Sequence, residues 1–106
     1  MICLIQRVIS SEVTINEKKI SKINKGILIL LGIHKNDTNA DLDYIVKKTT
    51  NLRIFEDQKK NMNLSIQDIN GEILIVSQFT LCADIRKGRR PSYIKAAEPE
   101  KAKLLY

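Results

Sequence analysis

The segment from Ile73 to Tyr93 reads ILIVSQFTLCADIRKGRRPSY, and it sets Ser77, Gln78 and Thr80 inside an otherwise apolar run. A basic cluster, Arg86, Lys87, Arg89 and Arg90, follows shortly after Thr80. A hydroxyl or amide buried without a partner costs about 1–3 kcal/mol, so each polar side chain must find a partner or serve a site. Two readings are open. In one, neighbouring backbone satisfies Ser77 and Thr80, and Gln78 sits in a polar patch near the strand end. In the other, the strand end is the floor of a pocket, with hydroxyl, amide and backbone N–H groups aimed at a polar substrate.

The residue types limit the chemistry of such a pocket. A threonine nucleophile needs a base to take its proton. Asp84 shares a face with Thr80 only if the strand runs on that far. A Ser-His-Asp arrangement would rest on His34, the only histidine, and no spacing supports it. Hydrolysis here is better served by donors around a carbonyl oxygen, with the substrate supplying part of the acid–base chemistry. In the loop RKGRR at 86–90, Gly88 lets the backbone come close to a ligand. Contact with an anionic ligand and a solvated surface loop are both open for each of its cations.

The elements that position these residues follow from periodicity. Met1–Ser10 and Glu12–Ile15 read as strands, with NEKK at 16–19 as a hairpin turn and Ile20 and Ile23 beyond it. GILILLGIH, opening at Gly26, is the run of a strand covered on both faces. NDT at 36–38 offers N-caps for a helix whose apolar positions are Leu42, Ile45, Val46, Thr49 and Leu52, ending near Phe55. EDQKKNMN then reads as a loop. LSIQDI at 64–69 alternates as a half-buried strand, and Asn70-Gly71 joins it as a hairpin to a strand over 72–82, apolar on both faces at its start as a central strand is. Glu98-Pro99 opens a last helix, whose apolar positions are Ala102, Leu105 and Tyr106.

With 106 residues the chain is one domain, and 43% hydrophobic against 28% charged residues excludes a disordered segment. The longest apolar run, Ile27–Leu31, is too short to cross a bilayer, and MICLIQRV lacks the basic start of a signal peptide, so a cytoplasmic location is expected. Cys3 and Cys82 lie in apolar runs without metal spacing and read as small buried hydrophobes; no metal site is expected. The net charge of +6 favours a polyanion as partner.

VSQFTL with the downstream RKGRRPSY resembles the D-aminoacyl-tRNA deacylase family, also called D-tyrosyl-tRNA deacylases. IQRV at 5–8, GILILLGIHKNDT at 26–38, NLRIFED at 51–57 and MNLS at 62–65 are similar to that family in the same order. The resemblance implies an α/β fold of mixed β-sheets with packed helices, one domain over 1–106. It implies a homodimer with sites at the subunit interface, no cofactor, and hydrolysis of the ester of D-aminoacyl-tRNA and of some glycyl-tRNA. It makes the protein a tRNA-binding proofreading hydrolase of translation, with no membrane or DNA partner. On the matching positions, backbone N–H groups at Phe79 and Thr80 carry catalysis, while Ser77, Gln78 and Arg7 bind the aminoacyl end. A ribose 2′-hydroxyl assists water. Arg86, Lys87, Arg89 and Arg90 would then meet acceptor-stem phosphates.

The family's C-terminal Gly-Pro motif, which rejects L-aminoacyl groups, does not occur here: the glycines precede Ile27, Ile33, Glu72 and Arg89. A helix of about two turns is also marginal unless it docks or continues. The expectation is a domain that is longer in nature than this chain. A non-catalytic RNA-binding module derived from the family is the alternative function, and a remnant that dimerises through exposed strands is a third.

Overall fold

A computed structural model describes all of Met1–Tyr106. The chain runs β1 (Ile2–Val8), β2 (Ser11–Ile15), β3 (Lys18–Ile23), β4 (Gly26–Gly32), α1 (Asn39–Asn51), β5 (Phe55–Glu56), β6 (Met62–Leu64), β7 (Glu72–Ser77) and α2 (Pro99–Leu105). A 3-10 turn over Phe79–Cys82 follows β7 directly. β4 is the centre of a three-stranded sheet ordered β1-β4-β7, antiparallel to β1 and parallel to β7. This is the mixed α/β architecture that the sequence led us to expect.

Composition explains the placement. GILILLG supplies apolar side chains to both faces, as a central strand requires. Ile27, Ile29, Leu31 and Ile33 project into one core with Phe55 and Ile66, and Cys3 and Ile5 of β1 pack against it. Ile27 is the deepest side chain, 1% exposed. Glycine is required at position 26 because a Cβ there would run into the Glu72 carbonyl of β7. Thr38 caps α1, and its N–H donates to the Asp41 carboxylate at 2.8 Å, satisfying a donor at the helix start. That bond holds the Asp41 carboxyl below the usual carboxylate range.

Three expectations need correction. The helix does not reach Phe55: it ends at Asn51, Leu52 is already extended, and Phe55 lies in β5, buried in the core opposite Leu64. Helical spacing carried on to Leu52, and nothing in the sequence marked where core burial overrides it. Residues 64–69 are not a strand paired with β7. The Ser65 N–H donates to Asp68 at 2.8 Å, and Ile66 accepts from Gly71, so a compact turn forms instead. Asn70 sits in that turn with φ 50°, so the turn signal was real, but it leads into a parallel pairing with β4. Finally, the strand over 72–82 stops at Ser77, and β7 is an edge of the sheet, not its centre.

Candidate functional site

The early end of β7 shapes the site. The Gln78 N–H still donates to the Leu31 carbonyl at 2.8 Å, the last ladder bond between β7 and β4. The chain then coils through Phe79–Cys82 against β4, where Gly32 leaves the room: a Cβ at Gly32 would lie 2.9 Å from that of Leu81. Within this turn Leu81 donates to the Gln78 carbonyl and Ala83 to that of Thr80, whereas the N–H groups of Phe79 and Thr80 have no backbone acceptor. Two neighbouring donors are therefore left without a backbone partner at the start of a 3-10 turn, where such N–H groups can receive an anionic oxygen. The Thr80 hydroxyl donates to Gln78 Oε1 at 2.6 Å. That bond orients both side chains and leaves the hydroxyl oxygen an acceptor toward solvent.

The polar residues are not buried. Ser77 and Thr80 are exposed and Gln78 is half-buried, so the desolvation problem posed by a continuous strand does not arise. What the site has is a cleft of about 570 Å³ beside the strand end. Ser77 and Phe79 form one wall, and Tyr93, Ala97 and Ala102 help form the other. The Phe79 and Tyr93 rings meet edge to face, with centroids 5.2 Å apart. Tyr106 closes one end and donates its hydroxyl to the Ile75 carbonyl at 2.7 Å. Gln78 and Thr80 do not line this cleft.

No base is available to Thr80. Asp84 was the one acid near it in sequence. With the strand broken at Ser77, Asp84 is instead held by Arg86, Nε to Oδ1 at 2.9 Å and a second guanidinium N–H to Oδ2 at 2.7 Å. The Arg86 guanidinium and backbone N–H keep its carboxyl far below the usual carboxylate range, too weakly basic to take a hydroxyl proton. His34 lines a different groove, with Asp84, Arg86 and Lys95.

The basic loop is one structural unit, closed by reciprocal backbone bonds between Asp84 and Ser92 at 2.8 and 2.9 Å. Gly88, at its tip, has φ 67°, a conformation suited to glycine. Lys87, Arg89 and Arg90 are exposed and form no ion pair, whereas Arg86 is engaged with Asp84. Arg7 stands apart from these residues. It donates to the Ile54 carbonyl at 2.9 Å and shares a row of the sheet with Ile27 and Ile73, four residues down β7 from Ser77, about 13 Å. Within one chain, then, Ser77, Gln78, Phe79 and Thr80 come together, and Arg7 does not join them.

The second wall of the cleft was not read from the sequence. Ala97 donates to the Ile33 carbonyl at 2.8 Å, and His34 bridges to Ala96, which lays residues 93–97 beside the end of β4. The signal that was present is the small side chains at 96, 97 and 102, which leave a hollow where larger ones would fill it.

The chain has relatives among known proteins. The model of the family described as D-Tyr-tRNA(Tyr) deacylase matches residues 4–106. A D-aminoacyl-tRNA deacylase of Thermosipho melanesiensis is 60% identical over the whole of this chain and 71% of its own length, and that of Clostridioides difficile is 56% identical over the same shares. The solved structure of a c-Myc DNA unwinding element binding protein superposes with a TM-score of 0.92 at 42% identity, over 98% of this chain and 70% of that one. A probable eukaryotic D-amino acid tRNA deacylase, 20% identical with a TM-score of 0.82 over 98% of this chain and 61% of that one, shares the fold. The free N–H pair, the cleft and the order of motifs thus lie in a chain that belongs to the D-Tyr-tRNA(Tyr) deacylase family.

Proposed function

We propose that the protein is a D-aminoacyl-tRNA deacylase, hydrolysing the ester between a D-amino acid and tRNA to release both. The observation that carries this reading is the pair of unengaged N–H groups at Phe79 and Thr80, set where β7 gives way to the 3-10 turn. In this reaction the ester carbonyl oxygen lies against those two donors, which take up the charge that develops as water adds to the carbon. The bond to the terminal ribose then breaks, and the ribose oxygen leaves with a proton. Because Thr80 has no base, the neighbouring ribose 2′-hydroxyl is the group that orients the water, and the Thr80–Gln78 pair steadies the turn. Ser77 and Phe79 face the aminoacyl and adenosine groups in the cleft, whose volume suits a small ligand.

Several further features belong to this reading. Residues 1–106 act as one domain of the family. Lys87, Arg89 and Arg90 meet acceptor-stem phosphates, with Arg86 released to them only if its bond to Asp84 opens. A homodimer is supported by apolar side chains left uncovered on one face of the sheet, among them Ile2 at 36% and Leu4 at 53% exposure. In such a dimer Arg7 would act on a pocket other than its own. Glycyl-tRNA is a second substrate, the partner is RNA in place of DNA, and the site of action is the cytoplasm, where translation occurs.

The test is release of amino acid from D-tyrosyl-tRNA and L-tyrosyl-tRNA, side by side. Release from the D-form shows that the Ser77–Thr80 segment suffices for chemistry. The L-form rate then measures selectivity in a chain with no Gly-Pro dipeptide. Tight binding of tRNA without release from either form would favour the non-catalytic RNA-binding module.

A further inference from the structure

We infer that a groove at the C-terminal end of α1 is a second RNA contact, where Lys47, Lys48 and Arg53 hold phosphates and the Tyr44 ring stacks on a base or ribose. The inference rests on the deacylase reading, since it takes the body of the same tRNA as the occupant.

The groove encloses about 510 Å³ and is lined by Tyr44, Lys47, Lys48, Asn51, Leu52 and Arg53. The first four are spaced i, i+3, i+4 and i+7, so they share one face of the helix. Leu52 leaves the helix in an extended conformation, and Arg53 lines the groove beside that face. Arg7, bonded to the Ile54 carbonyl, adds a fourth cation nearby. The ion pairs of the chain are Met1–Asp37, Lys19–Glu12 and Arg86–Asp84, so no cation of the groove is ion-paired, although the charge of Arg53 reaches the Asp68 carboxylate.

Lysines in the last turns of a helix are also favoured by the helix dipole, which by itself explains Lys47 and Lys48. It does not explain Arg53, beyond the helix, or a tyrosine left 61% exposed among the cations with the Lys48 ammonium 5.9 Å from its ring centre. Cations around an exposed aromatic ring form the combination that holds a sugar-phosphate chain with an accessible base face. Position favours the same tRNA. Tyr106, which closes the cleft, also lines a hollow with Thr49 and Thr50 in the last turns of α1, the same turns whose Lys47, Lys48 and Asn51 line the groove, so a tRNA held at the cleft passes close to the groove.

The experiment compares the wild-type chain with a Lys47→Gln, Lys48→Gln, Arg53→Gln variant and with Tyr44→Ala and Tyr44→Phe, after thermal unfolding shows each to be folded. Affinity for uncharged tRNA is measured over a range of salt concentrations. Hydrolysis is measured on the D-tyrosyl ester of adenosine, a substrate too small to reach the groove. The triple variant is expected to bind tRNA at least about tenfold more weakly, with a salt slope shallower by about 2 to 3, and to hydrolyse the small ester at the wild-type rate. Tyr44→Ala loses about fivefold or more in tRNA affinity and Tyr44→Phe nothing, since stacking needs the ring and not its hydroxyl. Wild-type affinity and slope in the triple variant would overturn the inference. Failure of the wild-type chain to cleave the small ester would count against the deacylase reading alone, because tRNA affinity still judges the groove.

Discussion

Replacing Thr80 by alanine separates two chemistries that share the same residue. The hydroxyl makes one hydrogen bond, to Gln78 Oε1 at 2.6 Å, and Thr80 is exposed while Gln78 is half-buried. Its loss therefore removes a bond that water replaces readily, worth about 0.5–1 kcal/mol of stability. If backbone N–H groups carry the developing charge, they remain in the variant, because alanine keeps the main chain of the 3-10 turn. The rate then falls by no more than about 10²-fold, the loss expected for one supporting group. A nucleophilic threonine predicts a different scale, since deleting a nucleophile costs on the order of 10⁶-fold.

The assay is single-turnover hydrolysis of D-tyrosyl-tRNA with enzyme in excess, together with tRNA affinity for each variant. Thr80→Ser is expected to keep most of the rate, and Gln78→Ala to resemble Thr80→Ala, because the two side chains act through one bond. A loss beyond about 10⁴-fold in Thr80→Ala with tRNA affinity unchanged would refute the backbone-centred mechanism. So would a tyrosyl ester on Thr80 detected by mass spectrometry of the quenched wild-type reaction.

Asp84→Asn frees Arg86 from its two-point bond, so the salt slope of tRNA binding should steepen by about 1 as Arg86 reaches a phosphate. In the wild-type chain the Asp84 carboxyl is held below its unfolded value, so its stabilising effect is present above the ordinary carboxylate range and is lost only as pH falls through the lower folded value. Followed by NMR, this carboxyl should stay ionised at a pH where free aspartates have taken up protons. Burial pushes the Cys82 thiol up, so the native chain should lose stability as pH rises above the ordinary thiol range, where the unfolded chain ionises first. Urea unfolding across that range checks this, with Cys82→Ala removing the slope. Gly26→Ala drives a Cβ into the Glu72 carbonyl and should lower the unfolding free energy by about 3 kcal/mol or more, read from denaturant midpoints.

Local signals served best where one strand or helix face settles its own structure. Unbroken apolar character placed β4, and three- and four-residue spacing placed α1, because each element buries a face that its own residues define. Phe55 shows where this stops. It looked like the end of a helical stripe, yet its place in the core is fixed by Ile27, Ile29 and Ile66, partners distant in sequence. Residues 64–69 show a second limit. Their alternation was genuine, but Ser65 and Asp68 exchange hydrogen bonds with each other's backbone and side chain, and those bonds close a turn before a second strand can pair.

The candidate segment Ser77–Thr80 illustrates both sides of this limit. Its residues were identifiable because polar side chains in an apolar run demand a reason, and a missing base already pointed away from a threonine nucleophile. The conformation that answers the question was not legible. A strand over 72–82 would have engaged the N–H groups of Phe79 and Thr80 in a ladder or buried them against a neighbour. Gly32, on a different strand, lets the chain coil here instead, and coiling is what leaves those two donors free. The proposed chemistry thus depends on a break in the sheet, and the residue that permits the break is a glycine 48 positions before Thr80 whose own sequence context reads as ordinary strand. A Gly32→Val change should therefore reduce turnover by displacing Leu81 and tilting the donor pair, while the cations of the 86–90 loop, anchored separately at Asp84 and Ser92, keep tRNA affinity close to that of the wild type. Equal losses of binding and turnover in that variant would mean that the turn and the loop do not act as separate units.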